Sequence, residues 1–125
     1  MKNTILIVED SMIYQAMLQK LSQDKGYDTQ SSADGMEAII RLNQGCAHIK
    51  AIFLDINMPN IDGISLLGHL HAKHADIPVV IISGDDDAEH NEDICMKLGA
   101  NAFIHKPLDA EKIEKIFTTI THFYA

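Results

Sequence analysis

Three acids, a hydroxyl and an amine each follow a short apolar run in this chain. Ile5-Leu6-Ile7-Val8 leads into Glu9-Asp10, and Ala51-Ile52-Phe53-Leu54 leads into Asp55. Val79-Val80-Ile81-Ile82 leads into Ser83-Gly84, and Ala102-Phe103-Ile104 delivers Lys106-Pro107. A carboxylate placed where a buried strand meets a turn-rich loop is expected to be exposed and rigidly held. If the first and third runs lie side by side, Glu9, Asp10 and Asp55 converge. Carboxylates sharing one pocket repel and raise one another's pKa unless a cation sits among them. A few hard oxygens with an open face suit Mg²⁺, which keeps several waters and often bridges to a phosphoryl group; Mn²⁺ accepts the same ligands. Asp10 and Asp55 are expected as direct ligands, Glu9 as a ligand through water, and the backbone carbonyl of Asn57 as a third protein oxygen. The plainer account, that Glu9-Asp10 merely cap the first helix, leaves the acid at the end of the other strand unexplained.

Lys106 precedes a proline, and such a bond is open to the cis form, which would aim the lysine across the sheet edge. An ammonium there would neutralise a phosphoryl oxygen or pair with Asp55. Ser83 adds a donor at the same edge, although a strand-ending hydroxyl can also serve only its local backbone. A nucleophilic carboxylate, a divalent-metal pocket, a hydroxyl and an ammonium are the inventory of phosphoryl transfer to an acyl phosphate.

These groups require a scaffold that collects strand ends. Candidate strands are Thr4–Val8, Tyr27–Gln30, Ala51–Leu54, Val79–Ile82 and Ala102–Ile104. The first, third and fourth are continuous apolar runs, as in strands buried on both faces of a parallel sheet; the second is weaker and reads as an edge. Helical segments fill the gaps at Ser11–Asp24, Gly35–Asn43, Ile64–Lys73, His90–Leu98 and Ala110–Phe123. Met12, Ile13, Met17, Leu18 and Leu21 in the first, and Met36, Ile39, Ile40 and Leu42 in the second, are expected to face the core. Alternating strands and helices imply right-handed crossovers and a doubly wound α/β sheet, whose functional crevice lies outside the carboxyl ends of the strands.

Composition narrows the function classes. At 125 residues, 46% hydrophobic and 22% charged, the chain reads as one ordinary globular domain, residues 1–125. No apolar stretch is long enough to span a bilayer, and Met1-Lys2-Asn3-Thr4 leads into a strand without a signal-peptide pattern, so a cytoplasmic location and no membrane partner are expected. A net charge of −8 with ten scattered basic residues argues against direct nucleic-acid binding. Cys46 and Cys95 suggest reduced structural thiols.

Taken together, Glu9-Asp10, Asp55 followed by Met58-Pro59 and Asp62-Gly63, Ala33-Asp34-Gly35 with Glu37-Ala38, Ser83-Gly84 and Lys106-Pro107 resemble the receiver domain of two-component response regulators. The resemblance covers essentially the whole chain. It implies a flavodoxin-like five-stranded sheet, order 2-1-3-4-5, with five helices, and Mg²⁺ as cofactor. It also implies Asp55 as phosphoacceptor from a histidine kinase or histidine phosphotransfer protein, a reaction the domain performs on itself rather than as an enzyme. Ser83 and the aromatic Phe103 would form the switch, Ser83 moving toward the phosphoryl group and Phe103 swinging inward. Asn57 and Asp85 would tune dephosphorylation. The switched face, made of the fourth helix, fifth strand and fifth helix, would bind a downstream effector or form a phosphorylation-dependent dimer. Three positions depart from the common pattern: Gln15 stands for a frequent Arg, Ser83 for a more usual Thr, and Phe103 lacks a Tyr hydroxyl.

Two other classes compete. A phosphatase of the haloacid-dehalogenase type would need a second acid two positions after Asp55, where Asn57 stands. A flavodoxin would need a hydroxyl- and glycine-rich phosphate loop where Glu9-Asp10-Ser11-Met12 stands. The length favours a freestanding receiver over one cut from a longer regulator or hybrid kinase. His69, His71 and His74 read as a solvated face, and the acidic run Asp85-Asp86-Asp87 with Glu89, Glu92 and Asp93 as favourable charge at a helix start.

Overall fold

The computed structural model describes residues 3–57, 62–84 and 88–125, with only the backbone described at 88–90. Five strands, β1 (Thr4–Val8), β2 (Asp28–Ser32), β3 (Ile49–Leu54), β4 (Val79–Ser83) and β5 (Ala102–His105), alternate with five helices. The helices are α1 (Met12–Asp24), α2 (Gly35–Gln44), α3 (Gly63–Lys73), α4 (Ala88–Lys97) and α5 (Ala110–Phe123). All strand pairs are parallel and the order is β2-β1-β3-β4-β5. Strand order reverses between β1 and β3, so α1 and α3, which follow these two strands, lie on opposite faces of the sheet and leave a crevice at the strands' carboxyl ends.

Both faces of the sheet are covered, which is why the central strands β1, β3 and β4 are apolar except at Thr4, Lys50 and Ser83, at or near their ends. Leu6, Val8, Ile52, Leu54, Ile81 and Phe103 pack under α2, α3 and α4 through Leu42, Leu66, Leu67, Leu70 and Cys95. The alternate residues Ile5, Ile7, Phe53, Val80, Ile82 and Ile104 pack under α1 and α5 through Leu18, Ile116, Phe117 and Ile120.

The helical faces differ from expectation. Met12 and Ile13 are 83% and 75% exposed, and Met17, Met36 and Ile40 are also exposed. On α1 the buried positions are Leu18 and Ser22. At about 100° per residue, Met12, Ile13 and Met17 lie about 100–140° around the helix from Leu18; the apolar stripe is wider than the contact with the sheet. On α2, Leu42 is buried and Ile39 packs against the core as expected, while Ala38 is buried where Met36 and Ile40 are not. The second strand runs Asp28–Ser32 rather than Tyr27–Gln30, because the amide of Tyr27 bonds back to Ser22 O at the end of α1. Its sequence, Asp-Thr-Gln-Ser-Ser, carries no apolar signal, as suits an edge strand with one fully buried residue.

Two local devices set the approach to the crevice. Asp62 caps α3, accepting from the Ile64 amide at 3.0 Å and the Ser65 hydroxyl at 3.0 Å. Gly63 then passes so close to Ile56 that a Cβ would fall 2.3 Å from the Ile56 Cα. The Asp-Gly pair thus lets α3 start directly against the backbone that follows Asp55. Asp34 caps α2 in the same manner, accepting from the Glu37 amide at 2.8 Å.

Candidate functional site

Each site residue continues the ladder of the sheet by one step. The Glu9 amide donates to Ser32 O at 3.1 Å, the Asp55 amide to Val8 O at 2.9 Å, and the Lys106 amide to Ser83 O at 2.8 Å. Backbone hydrogen bonds to the neighbouring strand therefore fix where the side chains depart. The Lys106-Pro107 bond is cis.

The three acids come together. Glu9, Asp10 and Asp55 each offer an oxygen within 4.8 Å of the other two. Asp10 is exposed, but Asp55 is 5% exposed and Glu9 1%. Asp55 is therefore sunk below the surface rather than exposed, because it is bonded from two sides. Its Oδ1 accepts from the Asn57 amide at 2.9 Å, and its Oδ2 lies 3.5 Å from Lys106 Nζ.

Lys106 makes its shorter contacts with Glu9, at 3.1 Å to Oε2 and 3.3 Å to Oε1. Glu9 Oε1 also accepts from the Ser11 amide at 3.1 Å, and the Glu9 carbonyl accepts from the Gln15 side-chain amide. Gln15 thus holds the turn after β1. Burial first, and the Asp55 charge second, push the Glu9 carboxyl up to about 7, against the opposing pull of Lys106 and of the Ser11 amide. Three carboxylates within reach of one another could hold a hard divalent cation. Asp10 on the open side and Asp55 beneath it suit that ion, with Glu9 behind.

Ser83, fully buried at the end of β4, accepts a hydrogen bond from Asn57 Nδ2 at 3.1 Å. Asn57 thereby links the acid and the hydroxyl, through its amide to one and its side chain to the other. Phe103 is buried on the α4 side of β5, with its ring 5.1 Å from that of His105. His105 Nε2 in turn lies 2.9 Å from Glu92 Oε1 on α4. Asp85, Met58 and Pro59 lie outside the described residues.

Sequence reasoning missed two neighbours of Lys106. The ring of Tyr14 lies 4.1 Å from its Nζ. Lys112 Nζ donates to the carbonyls on either side of Lys106, His105 O at 2.9 Å and Pro107 O at 3.0 Å. Tyr14 was findable, since it lies one helical turn before Leu18 and so on the same inward face. Lys112 offered no sequence signal. The histidines do not converge: His74 Nδ1 lies 3.8 Å from Cys46 Sγ, and His71 packs against Gly99, where a Cβ would fall 2.3 Å from its Nδ1. Among the described residues, Glu9, Asp10 and Asp55 are the one group of three or more potential metal ligands, and no helix is long and apolar enough to cross a membrane.

A doubly wound sheet with acids and a lysine meeting at the carboxyl ends of its strands defines an α/β protein with a ligand-directed crevice. The comparisons narrow that class. Residues 5–118 match the response regulator receiver domain, and the chain belongs to that family, a component of two-component signalling. It is 31% identical over 113 residues to chemotaxis protein CheY of Treponema pallidum, covering 87% of this chain and 76% of that protein. It is 31% identical over 115 residues to the nitrogen assimilation regulatory protein NtrX of Azorhizobium caulinodans, covering 90% of this chain and 25% of that one. The solved receiver domain of NtrX from Brucella abortus superposes with a TM-score of 0.83 at 27% identity, over 94% of this chain and 98% of that one. The chain spans between 5% and 46% of the length of seven curated relatives that it matches.

Proposed function

We propose that Asp55 is the phosphoacceptor of this receiver, charged from a phosphohistidine on a histidine kinase or histidine phosphotransfer protein. The observation that carries the reading is the shared lysine: Lys106 Nζ lies within 3.5 Å of both Asp55 and Glu9, at the edge where the strand ends meet. A carboxylate oxygen of Asp55 attacks phosphorus, the bond from phosphorus to the donor breaks, and the donor group leaves with the electron pair. Asp10, Asp55 and the Asn57 carbonyl would hold Mg²⁺ or Mn²⁺, with Glu9 through water; bound there, the ion supplies positive charge to the phosphoryl oxygens.

Lys106 turns its ammonium from Glu9 to a phosphoryl oxygen, and Ser83 gives up the Asn57 amide to donate its hydroxyl to another. Phe103, on the neighbouring strand two residues before His105, the register partner of Ser83, responds to that movement at the α4-β5-α5 face, where an effector or a second copy reads the state. Asn57 and Asp85 tune the lifetime of the acyl phosphate. The domain acts on itself rather than turning over a separate substrate, and works in the cytoplasm. A second reading, a receiver that governs a linked output domain or belongs to a hybrid kinase, is favoured by the small share of the longer relatives that the chain covers.

Incubation with Mg²⁺ and acetyl phosphate, followed by intact-mass measurement, tests the reading. One phosphoryl adduct is expected in wild type and none in Asp55→Asn. An adduct that persists in Asp55→Asn overturns the assignment.

A further inference from the structure

The ammonium of Lys106 has three N–H bonds and four neighbours: two oxygens of Glu9, one of Asp55, and the ring of Tyr14 at 4.1 Å. The first three lie on the side of the acids; the fourth is contributed by α1. We infer that Tyr14 is a positioning residue for phosphoryl transfer, its π face serving as the pivot on which the Lys106 ammonium turns from Glu9 to the incoming phosphoryl group. The inference rests on the reading of Asp55 as phosphoacceptor.

The geometry of the first turn of α1 supports this role. The Tyr14 amide donates to Ser11 Oγ at 3.4 Å, while the Ser11 amide donates to Glu9 Oε1 at 3.1 Å. Tyr14 and the carboxylate that Lys106 must leave are thus held by one capping residue. Lys106 is mostly buried, its side chain 14% exposed, so water cannot freely replace a lost partner. A cation over an aromatic face is attracted by the ring quadrupole, an interaction that strengthens when the cation is desolvated. That attraction places no demand on the direction of the N–H bonds. An oxygen acceptor at the same place would compete with the phosphoryl group for a proton; a ring face lets all three N–H bonds redirect while the nitrogen stays in place. During transfer an Asp55 oxygen bonds to phosphorus, the bond from phosphorus to the donor oxygen breaks, and acetate leaves with the electron pair when acetyl phosphate is the donor. Charge that moves onto the phosphoryl oxygens meets an ammonium already in reach.

The test compares Tyr14→Phe, which keeps the face and loses the hydroxyl, with Tyr14→Leu, which keeps an apolar body without the face. The phosphorylation rate is measured against acetyl phosphate concentration at saturating Mg²⁺, together with Mg²⁺ affinity, melting temperature and the ring-current shift of the Lys106 ε-methylene signal. Tyr14→Leu should lower the maximal rate about 5- to 30-fold, with Mg²⁺ affinity within about twofold of wild type and the ε-methylene signal moved. Tyr14→Phe should match wild type in rate and in that signal. A wild-type maximal rate in Tyr14→Leu overturns the inference, as does an equal loss in Tyr14→Phe or a loss that follows Mg²⁺ affinity. None of these outcomes touches the assignment of Asp55, which stands or falls on Asp55→Asn.

Discussion

Lys106 Nζ stands 3.1 Å from Glu9 Oε2 and 3.5 Å from Asp55 Oδ2, so the lysine of the site is bonded more closely to Glu9 than to Asp55, the proposed phosphoacceptor. Glu9 is buried and competes with Asp55 for one cation. This relationship makes the site an internal ion-pair network whose charge a metal ion or a phosphoryl group can rearrange.

Divalent-metal binding should depend on pH through Glu9. Its carboxyl is raised from 4.5 to about 7, so the folded protein holds a proton that the unfolded chain releases at lower pH. The stability that this proton contributes is fully present below pH 4.5 and is lost as pH rises through 7. In metal-free buffer the urea midpoint should fall between pH 5 and pH 8, and Glu9→Gln should flatten that slope. Mg²⁺ favours the ionised carboxylate, so its apparent affinity should drop about tenfold from pH 8 to pH 6. Titration calorimetry at the two pH values checks this, and a pH-independent affinity would remove Glu9 from the ligand set.

Removal of the lysine should separate its structural role from its chemical one. Lys106→Met leaves two buried carboxylates without a cation between them. At pH 8 and without metal the variant should lose about 3 kcal/mol of stability, and at pH 6, where Glu9 holds its proton, much less. Mg²⁺ should restore more stability to this variant than to wild type, because the ion no longer displaces an ammonium. Chemical denaturation with and without Mg²⁺ measures both terms; an equal Mg²⁺ effect in the two proteins would contradict the competition.

Gly63 carries the position of the loop after β3. A Cβ at this residue would meet the Ile56 backbone at 2.3 Å, and backbone cannot yield as a flexible side chain does. Gly63→Ala should cost about 1–3 kcal/mol and should slow phosphorylation by shifting Asp55 and Asn57. Thermal denaturation and the acetyl phosphate rate test the two effects. A stable variant with a normal rate would show that α3 can move without moving the acid.

The collection of Glu9, Asp55 and Lys106 was legible because each ends a strand of a parallel sheet, and such strands all deliver their ends to one edge. The continuous apolar runs of β1, β3 and β4 told the same story, since only strands covered on both faces avoid polar residues. Less legible was β2, whose polar run from Asp28 to Ser32 is recognisable as a strand only through its pairing with β1. The exposure of Met12 and Ile13 was hidden for a related reason: an apolar stripe gives the direction of a helix face, but the width of its contact depends on what lies beneath.

Residue order therefore carried the alternation of elements, the edge on which chemistry gathers and the membership of the acids, because these follow from local hydrophobicity and the connectivity of parallel strands. Packing alone decided that Asp55 is sunk rather than exposed, that Lys106 favours Glu9, and that Tyr14 faces the ammonium. Those are distances between groups far apart in the chain, set by how α1, β1, β3 and β5 settle against one another, and no periodicity along a single segment contains them.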